Sequence, residues 1–223
     1  LCHIPVEPVS GTPPELDDAV ALAAVAAHLR PRGAEVQALA PGLRRVRWPR
    51  PAPPPLVSLI VPTRNGLNVL RTCVESIEQR TRYRPYELIV VDNQSDDPAT
   101  LDYLGRLAAE GRARVLVHDA PFNYSAINNA AVCAARGDII GLINNDIEVI
   151  SPDWLDEMVG HAVRPDIGCV GAKLYFPDDT IQHAGVVLGV GGVAGHAHKY
   201  LHRHAAGYHD LLRLVHNVSA VTG

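Results

Sequence analysis

The chain of 223 residues is long enough for one sizeable domain, and its 47% hydrophobic and 20% charged residues are typical of globular proteins. A formal net charge of −4 argues against a nucleic-acid partner, because nucleic-acid-binding proteins usually carry a basic surface. The sequence contains no apolar run of the roughly eighteen residues that a transmembrane helix needs, and no signal-peptide pattern.

Residues 1–55 differ in composition from the rest of the chain. The Ala-, Leu- and Val-rich stretch Glu15–Leu29 predicts one helix. Two short strands are expected after it, at Val36–Leu39 and Arg45–Trp48. The proline-rich segment 49–55 indicates a stiff, extended connector. We therefore predict a small N-terminal extension over residues 1–55 and a main domain over residues 56–223.

From Leu56 onward, short apolar runs alternate with stretches of helical periodicity. The predicted strands are Leu56–Pro62, Tyr86–Val91, Arg114–His118 and Asp138–Ile143, and a fifth apolar run, Ile167–Leu174, follows. Four helices are predicted. The first has its apolar face at Leu70–Ile77, the next two span Ala99–Ala109 and Ser125–Ala135, and the last begins with Ser151 as its N-cap. This alternation predicts an α/β fold with a mostly parallel sheet and helices on both faces.

The cysteines lie far apart and form no CxxC pair, which indicates neither a zinc site nor a disulfide framework. Cys73 and Cys133 fall on apolar faces of predicted helices, as reduced core thiols of a cytoplasmic protein would. The first residue is Leu and the sole methionine is Met158, so we expect a piece of a longer chain.

Polar residues follow each of the first four predicted strands: Asn65, Asp92, Asn123 and Asp146. Ligands of open parallel sheets bind at the carboxyl ends of the strands, so these side chains are expected to converge on one cleft. The alternative for each residue alone is a turn or a helix cap, the ordinary positions of Asn and Asp.

The segment Asn144–Glu148 is the sharpest candidate for a metal site. Mg²⁺ and Mn²⁺ prefer carboxylate oxygens and often use one or two protein carboxylates together with ligand phosphates. Asp146 directly after an apolar strand suits that role, and Glu148 would share its face if the strand continued. A solvated loop is the alternative for both carboxylates.

At these residues the sequence resembles family-2 glycosyltransferases of the inverting type with a GT-A fold. More narrowly, it resembles bacterial enzymes of O-antigen and cell-surface polysaccharide assembly. The resemblance extends over residues 56–223, and its segments occur in the expected order: Val57–Asn65, Leu88–Ser95, Phe122–Asn129, Ile143–Val149 and Gln182–Gly189.

The resemblance implies roles for individual residues. The expected nucleotide-binding residues are Pro62, Thr63, Asn65, Asp92, Asn123 and Asn129, with the first three at the base and Asp92 at the base or ribose. Asp146 matches the last position of the Asp-x-Asp metal motif, while Asn144 replaces its first carboxylate. The general base is expected beyond Gly223, downstream of the Thr222-Gly223 pair, so no catalytic residue is assigned within the chain.

The implied reaction is transfer of a sugar from a nucleoside diphosphate to a glycan or lipid-linked acceptor. The implied donor nucleotide is UDP, GDP or dTDP, and the implied cofactor is Mg²⁺ or Mn²⁺. A lipid-linked acceptor would bring this cytoplasmic protein to the inner face of the membrane as a peripheral partner.

Seven of the eleven histidines lie between His183 and His216. Imidazoles suit transition metals, so one interpretation is a metal site. A mobile polar loop near the acceptor is the favoured interpretation, because no Cys or carboxylate keeps a regular spacing with these histidines. His183, which belongs to a family-like segment, is the exception and could face the donor sugar.

Two other function classes remain open. A transferase-like domain without a complete site would serve as a glycan- or partner-binding module. A nucleotidyltransferase should carry a Gly-rich loop with Lys or Arg after its first strand, and Pro62–Gly66 is a poor match to such a loop.

Overall fold

The computed structural model describes residues 17–222, and the chain divides into two compact units between Pro49 and Arg50. The first unit contains helix α1 (Asp18–Leu29) and an antiparallel hairpin of β1 (Glu35–Ala40) and β2 (Leu43–Arg47). The expected helix and two strands are therefore present, although Glu15 and Leu16 lie outside the described residues. The Asp18 carboxylate ties helix to hairpin, since it accepts hydrogen bonds from Gly42 N at 3.0 Å and Arg44 Nη2 at 2.7 Å.

The second unit is built on a parallel sheet. Among the described residues its strands are β3 (Val57–Thr63), β4 (Tyr86–Asp92), β5 (Arg114–Val117) and β6 (Ile139–Leu142). Their order is β5-β4-β3-β6, and every neighbouring pair is parallel. β3 lies inside the sheet and six of its seven residues are buried, as expected for an apolar run covered on both faces.

Helices cover both faces of this sheet. They are α2 (Leu67–Arg80), α3 (Pro98–Ala109), α4 (Tyr124–Ala134) and α5 (Trp154–Ala162). Leu59 and Val61 face the core shared with α2, α3 and α5, whereas Ile60 between them packs with Ile127 of α4. The predicted α/β fold, with a parallel sheet between helices, is confirmed. No helix within residues 17–222 combines the length and apolarity needed to cross a membrane.

Short antiparallel pairs follow α5. β7 (Leu174–Tyr175) pairs with β8 (Ile181–His183), and β9 (Val186–Leu188) pairs with β10 (Ala194–His196). The end of the chain packs closely against this region: a Cβ on Gly185 would lie 2.4 Å from Val218 Cγ1. The absence of a side chain at this glycine therefore lets the last described segment reach β9, where Val186 N donates to the Ala220 carbonyl at 2.9 Å.

Three local predictions are wrong. Residues 167–173 form no strand, and Leu174 pairs with β8 rather than with the sheet; Gly171 in this run is a contact point for Val221. Ser151 does not cap α5, whose N-cap is Asp153, because the chain ahead of the helix is held elsewhere: the Pro152 carbonyl accepts from Arg82 N, and Trp154 Nε1 donates to Thr81 Oγ1. Cys133 is exposed, since α4 turns Ile127 and Ala131 toward the sheet, whereas Cys73 is buried as predicted.

The close contact between Gly137 and the backbone around β3 can be tested by substitution. A Cβ at Gly137 would lie 2.6 Å from Ser58 N and 2.7 Å from the Leu56 carbonyl oxygen, and backbone atoms cannot rotate away. We expect Gly137→Ala to lower the free energy of unfolding by about 1–3 kcal/mol, measured by urea denaturation.

Gly105→Ala is the matched control. Gly105 lies in α3 with open space around its Cα, so alanine there should raise stability by up to about 1 kcal/mol through helix propensity. Equal effects of the two substitutions would show that the close approach of β3 to Gly137 is unimportant.

Candidate functional site

The carboxyl ends of β3 and β4 form the centre of the candidate site. Thr63 and Asp92 are register partners on these strands, and both are largely buried, at 4% and 6% exposure. Asn93 N donates to the Thr63 carbonyl at 2.8 Å, and Asp92 Oδ1 accepts from Ser95 N at 3.1 Å. The register therefore brings Thr63 and Asp92 together at the carboxyl edge of the sheet, and half-buried Pro62 precedes Thr63 on β3.

Asn65 joins the loop after β3 to the loop after β4. Its Oδ1 accepts from the backbone N–H groups of Asp96 and Asp97, both at 3.0 Å. Its Nδ2 donates to Asp96 Oδ1 at 2.7 Å, and its own N–H donates to Ser95 Oγ at 2.8 Å. The residue has φ +54°, a conformation that Asn tolerates better than most side chains. Asn65 therefore shapes the cleft through the protein's own loops.

Asn123 and Asn129 lie on α4, on the other side of the sheet from α2. Asn123 is the N-cap of this helix, with Oδ1 accepting from Ala126 N at 3.0 Å. Asn129 is exposed in the second turn. Within residues 17–222 neither side chain hydrogen-bonds to Thr63, Asn65 or Asp92. Their role at a nucleotide stays a prediction, and for Asn123 a helix-capping role is visible.

Two buried amides near these positions were not found from the sequence. Asn93 is 2% exposed and donates to the carbonyls of His118 and Ala120, at 2.9 and 2.7 Å, which fixes the loop after β5. Asn128 is 4% exposed and donates to the Tyr124 carbonyl at 2.8 Å. The Oδ1 atoms of both are buried without a partner in the described part of the chain. Each is the immediate neighbour of a predicted site residue, and the sequence pattern does not tell which of two adjacent polar residues turns inward.

Asp146 lies in a turn after the end of β6. Its side chain is exposed, and no hydrogen bond or ion pair with residues 17–222 engages the carboxylate. The preceding residue, Asn145, donates from Nδ2 to Thr63 Oγ1 at 3.0 Å, which ties the turn to the end of β3. Exposed Asn144 opens the turn. A carboxylate is thus presented to solvent beside the edge that carries Thr63 and Asp92.

Cys73 of α2 lies under this turn. Its Sγ donates to the Asn144 carbonyl at 3.7 Å, within the reach of a sulfur donor. Burial first, and the negative charge of Asp146 second, raise the pKa of the Cys73 thiol to about 12, while a backbone hydrogen bond from Ile147 acts in the opposite direction. Cys73 is therefore a protonated thiol that supports the turn, and it is a poor nucleophile.

Two further side chains of α2 hold the segment after the turn. Ser76 Oγ accepts from Val149 N at 3.0 Å in a buried hydrogen bond, and it donates to the Cys73 carbonyl at 2.9 Å. Arg80 donates to the Val149 carbonyl at 2.6 Å and pairs with Glu148 at 2.9 Å. The Arg80–Glu148 pair is about half exposed on both sides, so it adds little stability, and the buried Ser76 contact matters more.

The turn fits a hard divalent cation that takes most of its ligands from a diphosphate and water. Asp146 offers one exposed carboxylate, and Mg²⁺ commonly uses one or two. Glu148 does not join it: β6 ends at Leu142, so the strand does not continue, and the Glu148 carboxylate pairs with Arg80. Residues 17–222 hold no group of three or more His, Cys, Asp or Glu side chains placed for a metal ion.

His183 is buried at 1% exposure, and both of its ring nitrogens contact protein atoms. Nε2 accepts from Gly185 N at 3.3 Å and Thr222 N at 3.4 Å, so in the neutral ring the proton belongs on Nδ1, 2.9 Å from His196 Nδ1. Burial first, and the neighbouring His196 second, lower the pKa of His183. His183 therefore holds the end of the described chain against β8, and its contact with a donor sugar stays a prediction.

The buried contact between α2 and the Asp146 segment can be tested through stability. Ser76→Ala leaves the Val149 N–H buried without an acceptor, so we expect the free energy of unfolding to fall by about 1–3 kcal/mol in urea denaturation. Thr72→Ala, on the exposed side of the same helix, should change it by less than about 0.5 kcal/mol. A similar loss in both variants would contradict a special role for the Ser76 contact.

The lowered pKa of His183 predicts acid sensitivity. An unfolded histidine titrates near pH 6.5, so below that pH the unfolded chain binds more protons than the folded chain. The free energy of unfolding should stay at its highest value above about pH 6.5 and decline below it. Half-buried His161, whose pKa is also lowered, acts in the same direction. His183→Gln should flatten this decline in denaturation series, whereas Thr72→Ala, which alters no histidine, should keep the wild-type slope.

The chain is similar to a protein family and to several known proteins. The model of glycosyl transferase family 2 matches residues 58–213. The chain is 58% identical over 179 residues to the uncharacterized protein y4gI of Sinorhizobium fredii, covering 80% of this chain and 20% of that protein. It is 46% identical over 175 residues to the O-antigen biosynthesis protein RfbC of Myxococcus xanthus, covering 78% of this chain and 14% of that protein.

The chain thus spans a fifth or less of the length of these two relatives. Among solved structures it is similar to the mannosyltransferase PcManGT from Pyrobaculum calidifontis in complex with GDP-Man and Mn²⁺. That likeness has a TM-score of 0.49 and 22% identity, and it covers 73% of this chain and 48% of the other. The family model covers well over half of the chain, and the chain belongs to glycosyl transferase family 2.

Proposed function

We propose that this chain is the donor-binding part of a glycosyltransferase that moves a sugar from a nucleoside diphosphate to a glycan or lipid-linked acceptor. The observation that carries the proposal is the Asp146 turn. Its carboxylate is exposed and unpaired within residues 17–222, while Asn145 and Cys73 tie the turn to β3 and α2. A site that binds a charged ligand without rearranging needs an exposed charged side chain on a loop that the surrounding protein already holds in place.

The nucleotide would occupy the edge formed by the ends of β3 and β4. Asp92 accepts one hydrogen bond there, from Ser95 N, and its carboxylate has further acceptor capacity for a ribose or base. Asn65 holds the two flanking loops together, so its part in binding would be to position the cleft. UDP, GDP and dTDP each carry N–H donors on the base and a hydroxyl on the sugar that such a carboxylate can accept from, so the edge suits all three.

Asp146 would hold Mg²⁺ or Mn²⁺ at the diphosphate, with Asn144 as a weaker neighbouring oxygen donor. When bound, such a cation supplies Lewis-acid stabilisation of the charge that grows on the leaving diphosphate. The chain's own contribution is to hold the turn that carries Asp146 in place, which the contacts of Asn145 and Cys73 with protein atoms support.

Inversion would require a general base that removes the proton of the acceptor hydroxyl. We place this base beyond Gly223 and assign the role to no residue within the chain. Donor binding is therefore the appropriate first measurement. The acceptor, the cytoplasmic location and a peripheral association with the inner face of the membrane are part of the same proposal.

The proposal is tested with Asp146→Asn, which removes the charge and nearly keeps the shape. Calorimetry with UDP, GDP and dTDP should show at least one nucleotide whose affinity for the wild type rises with Mn²⁺. In Asp146→Asn we expect that affinity to fall about tenfold or more, because a charge-assisted contact is lost. Stability without ligand should change by less than about 0.5 kcal/mol, since the side chain is exposed.

Asp138→Asn is the matched control, because Asp138 is an exposed carboxylate just before the amino end of the same strand, β6. It should bind nucleotide and Mn²⁺ as the wild type does. Unchanged nucleotide affinity in Asp146→Asn would reject the proposed role of this residue. No nucleotide binding with any cation in the wild type would instead favour a glycan- or partner-binding module.

A further inference from the structure

An exposed aromatic stack lies beside β7 and β8, and the proposed donor site does not use it. The rings of Phe176 and Tyr200 are nearly parallel, with an angle of 11° and centroids 5.7 Å apart. Phe176 is half-buried, whereas Tyr200 is 67% exposed. One face of the Tyr200 ring thus rests on Phe176, and the other is open to solvent.

Lys199 lies at the side of this stack. Its Nζ is 5.0 Å from the Tyr200 centroid and 5.8 Å from the Phe176 centroid. An ammonium on the side of Tyr200 that faces away from Phe176 would be much farther than 5.8 Å from the Phe176 centroid, because the two ring centroids are themselves 5.7 Å apart. The ammonium therefore lies within cation–π reach of both rings, beside the stack, and it can donate hydrogen bonds there.

The backbone holds Tyr200 in a conformation that its side chain disfavours. Tyr200 has φ +68°, in the left-handed region where bulky residues are outliers and glycine is at ease. Its N–H donates to the Ile181 carbonyl at 2.8 Å, and Ile181 N donates to the Leu201 carbonyl at 2.8 Å. Ile181 is fully buried in β8, so these bonds tie the exposed tyrosine to a buried residue.

A second contact fixes the same segment on the β7–β8 hairpin. The Arg203 guanidinium lies over the Tyr175 ring, 4.6 Å from its centroid, and pairs with Asp179 at 2.6 Å. The hairpin and residues 199–203 therefore form one braced surface. Tyr200 thus keeps a strained backbone at an exposed side chain where glycine would fit better, and such strain is more frequent at functional sites than elsewhere.

We propose that Tyr200, stacked on Phe176 and flanked by Lys199, is a platform that binds a pyranose ring. A pyranose has an apolar face of C–H groups and a rim of hydroxyls. The C–H groups carry slight positive charge and match the electron-rich face of an aromatic ring. The rim hydroxyls would accept hydrogen bonds from the Lys199 ammonium. That the sugar belongs to the glycan acceptor rests on the transfer reaction proposed above.

The platform is tested by saturation-transfer NMR on the whole chain, with the methyl glycosides of glucose, galactose, mannose and rhamnose as probes. We expect at least one of them to receive saturation at its ring C–H protons from the wild type. Tyr200→Phe should retain the signal, because the aromatic face remains. Tyr200→Gly should weaken it about tenfold, as expected when one aromatic stacking partner is lost.

Tyr200→Gly also relieves the left-handed backbone, so its thermal midpoint should equal or exceed that of the wild type. Tyr200→Asn, which tolerates positive φ, is a second ring-free variant if glycine loosens the segment. Tyr208→Ala is the matched control: this tyrosine is 72% exposed and packs edge-on against His209 instead of on an aromatic face. It should keep the wild-type signal.

Probe signals that survive in both Tyr200→Gly and Tyr200→Asn, or no signal with any probe in the wild type, would overturn the proposal. The NMR series is run without nucleotide or metal, and Asp146→Asn should keep the sugar signals. Failure of Mn²⁺-dependent nucleotide binding would thus reject the proposed donor site alone, whereas failure of probe binding would reject the platform alone.

Discussion

The candidate site depends on the attachment of the segment 144–149 to helix α2. Cys73, Ser76 and Arg80 recur at helical spacing, and each binds a backbone atom of that segment. A turn after an edge strand has few backbone partners of its own, because the parallel ladder stops with the strand. Side chains from the neighbouring helix replace those partners, and among the described residues none forms a hydrogen bond or ion pair with the Asp146 carboxylate.

Side chains also hold the loops after β3, β4 and β5 in place. Asn65 uses both of its amide atoms to bind the loop after β4, and Asn93 uses its amide nitrogen to bind the loop after β5. Amide side chains thus join the three loops at one sheet edge. The Asn93 side chain is 2% exposed, so loss of its hydrogen bonds would leave a buried amide unpaired, which costs more than loss of an exposed ion pair.

The region after α5 is organised by different forces. Its strands are two or three residues long, so backbone pairing alone would hold them weakly. Buried His183, the approach of Val218 to Gly185 and the rings around Tyr175 and Tyr200 provide the remaining contacts. None of these contacts is periodic along the chain, which explains why the sequence predicted a polar loop near the acceptor.

The sequence by itself determined the alternation of strands and helices and the edge at which polar residues gather. Runs such as Leu59–Val61 pack on both faces of a parallel sheet, and that burial leaves a continuous apolar pattern. Tertiary structure alone decided which polar side chains hydrogen-bond to the protein's own backbone. Asn65 and Asn123 look like ligand contacts in the sequence, yet their amides bind backbone groups that are distant or one helical turn away. Hydrogen-bond partners depend on which loops meet in space, and residue type and spacing along one chain do not encode that.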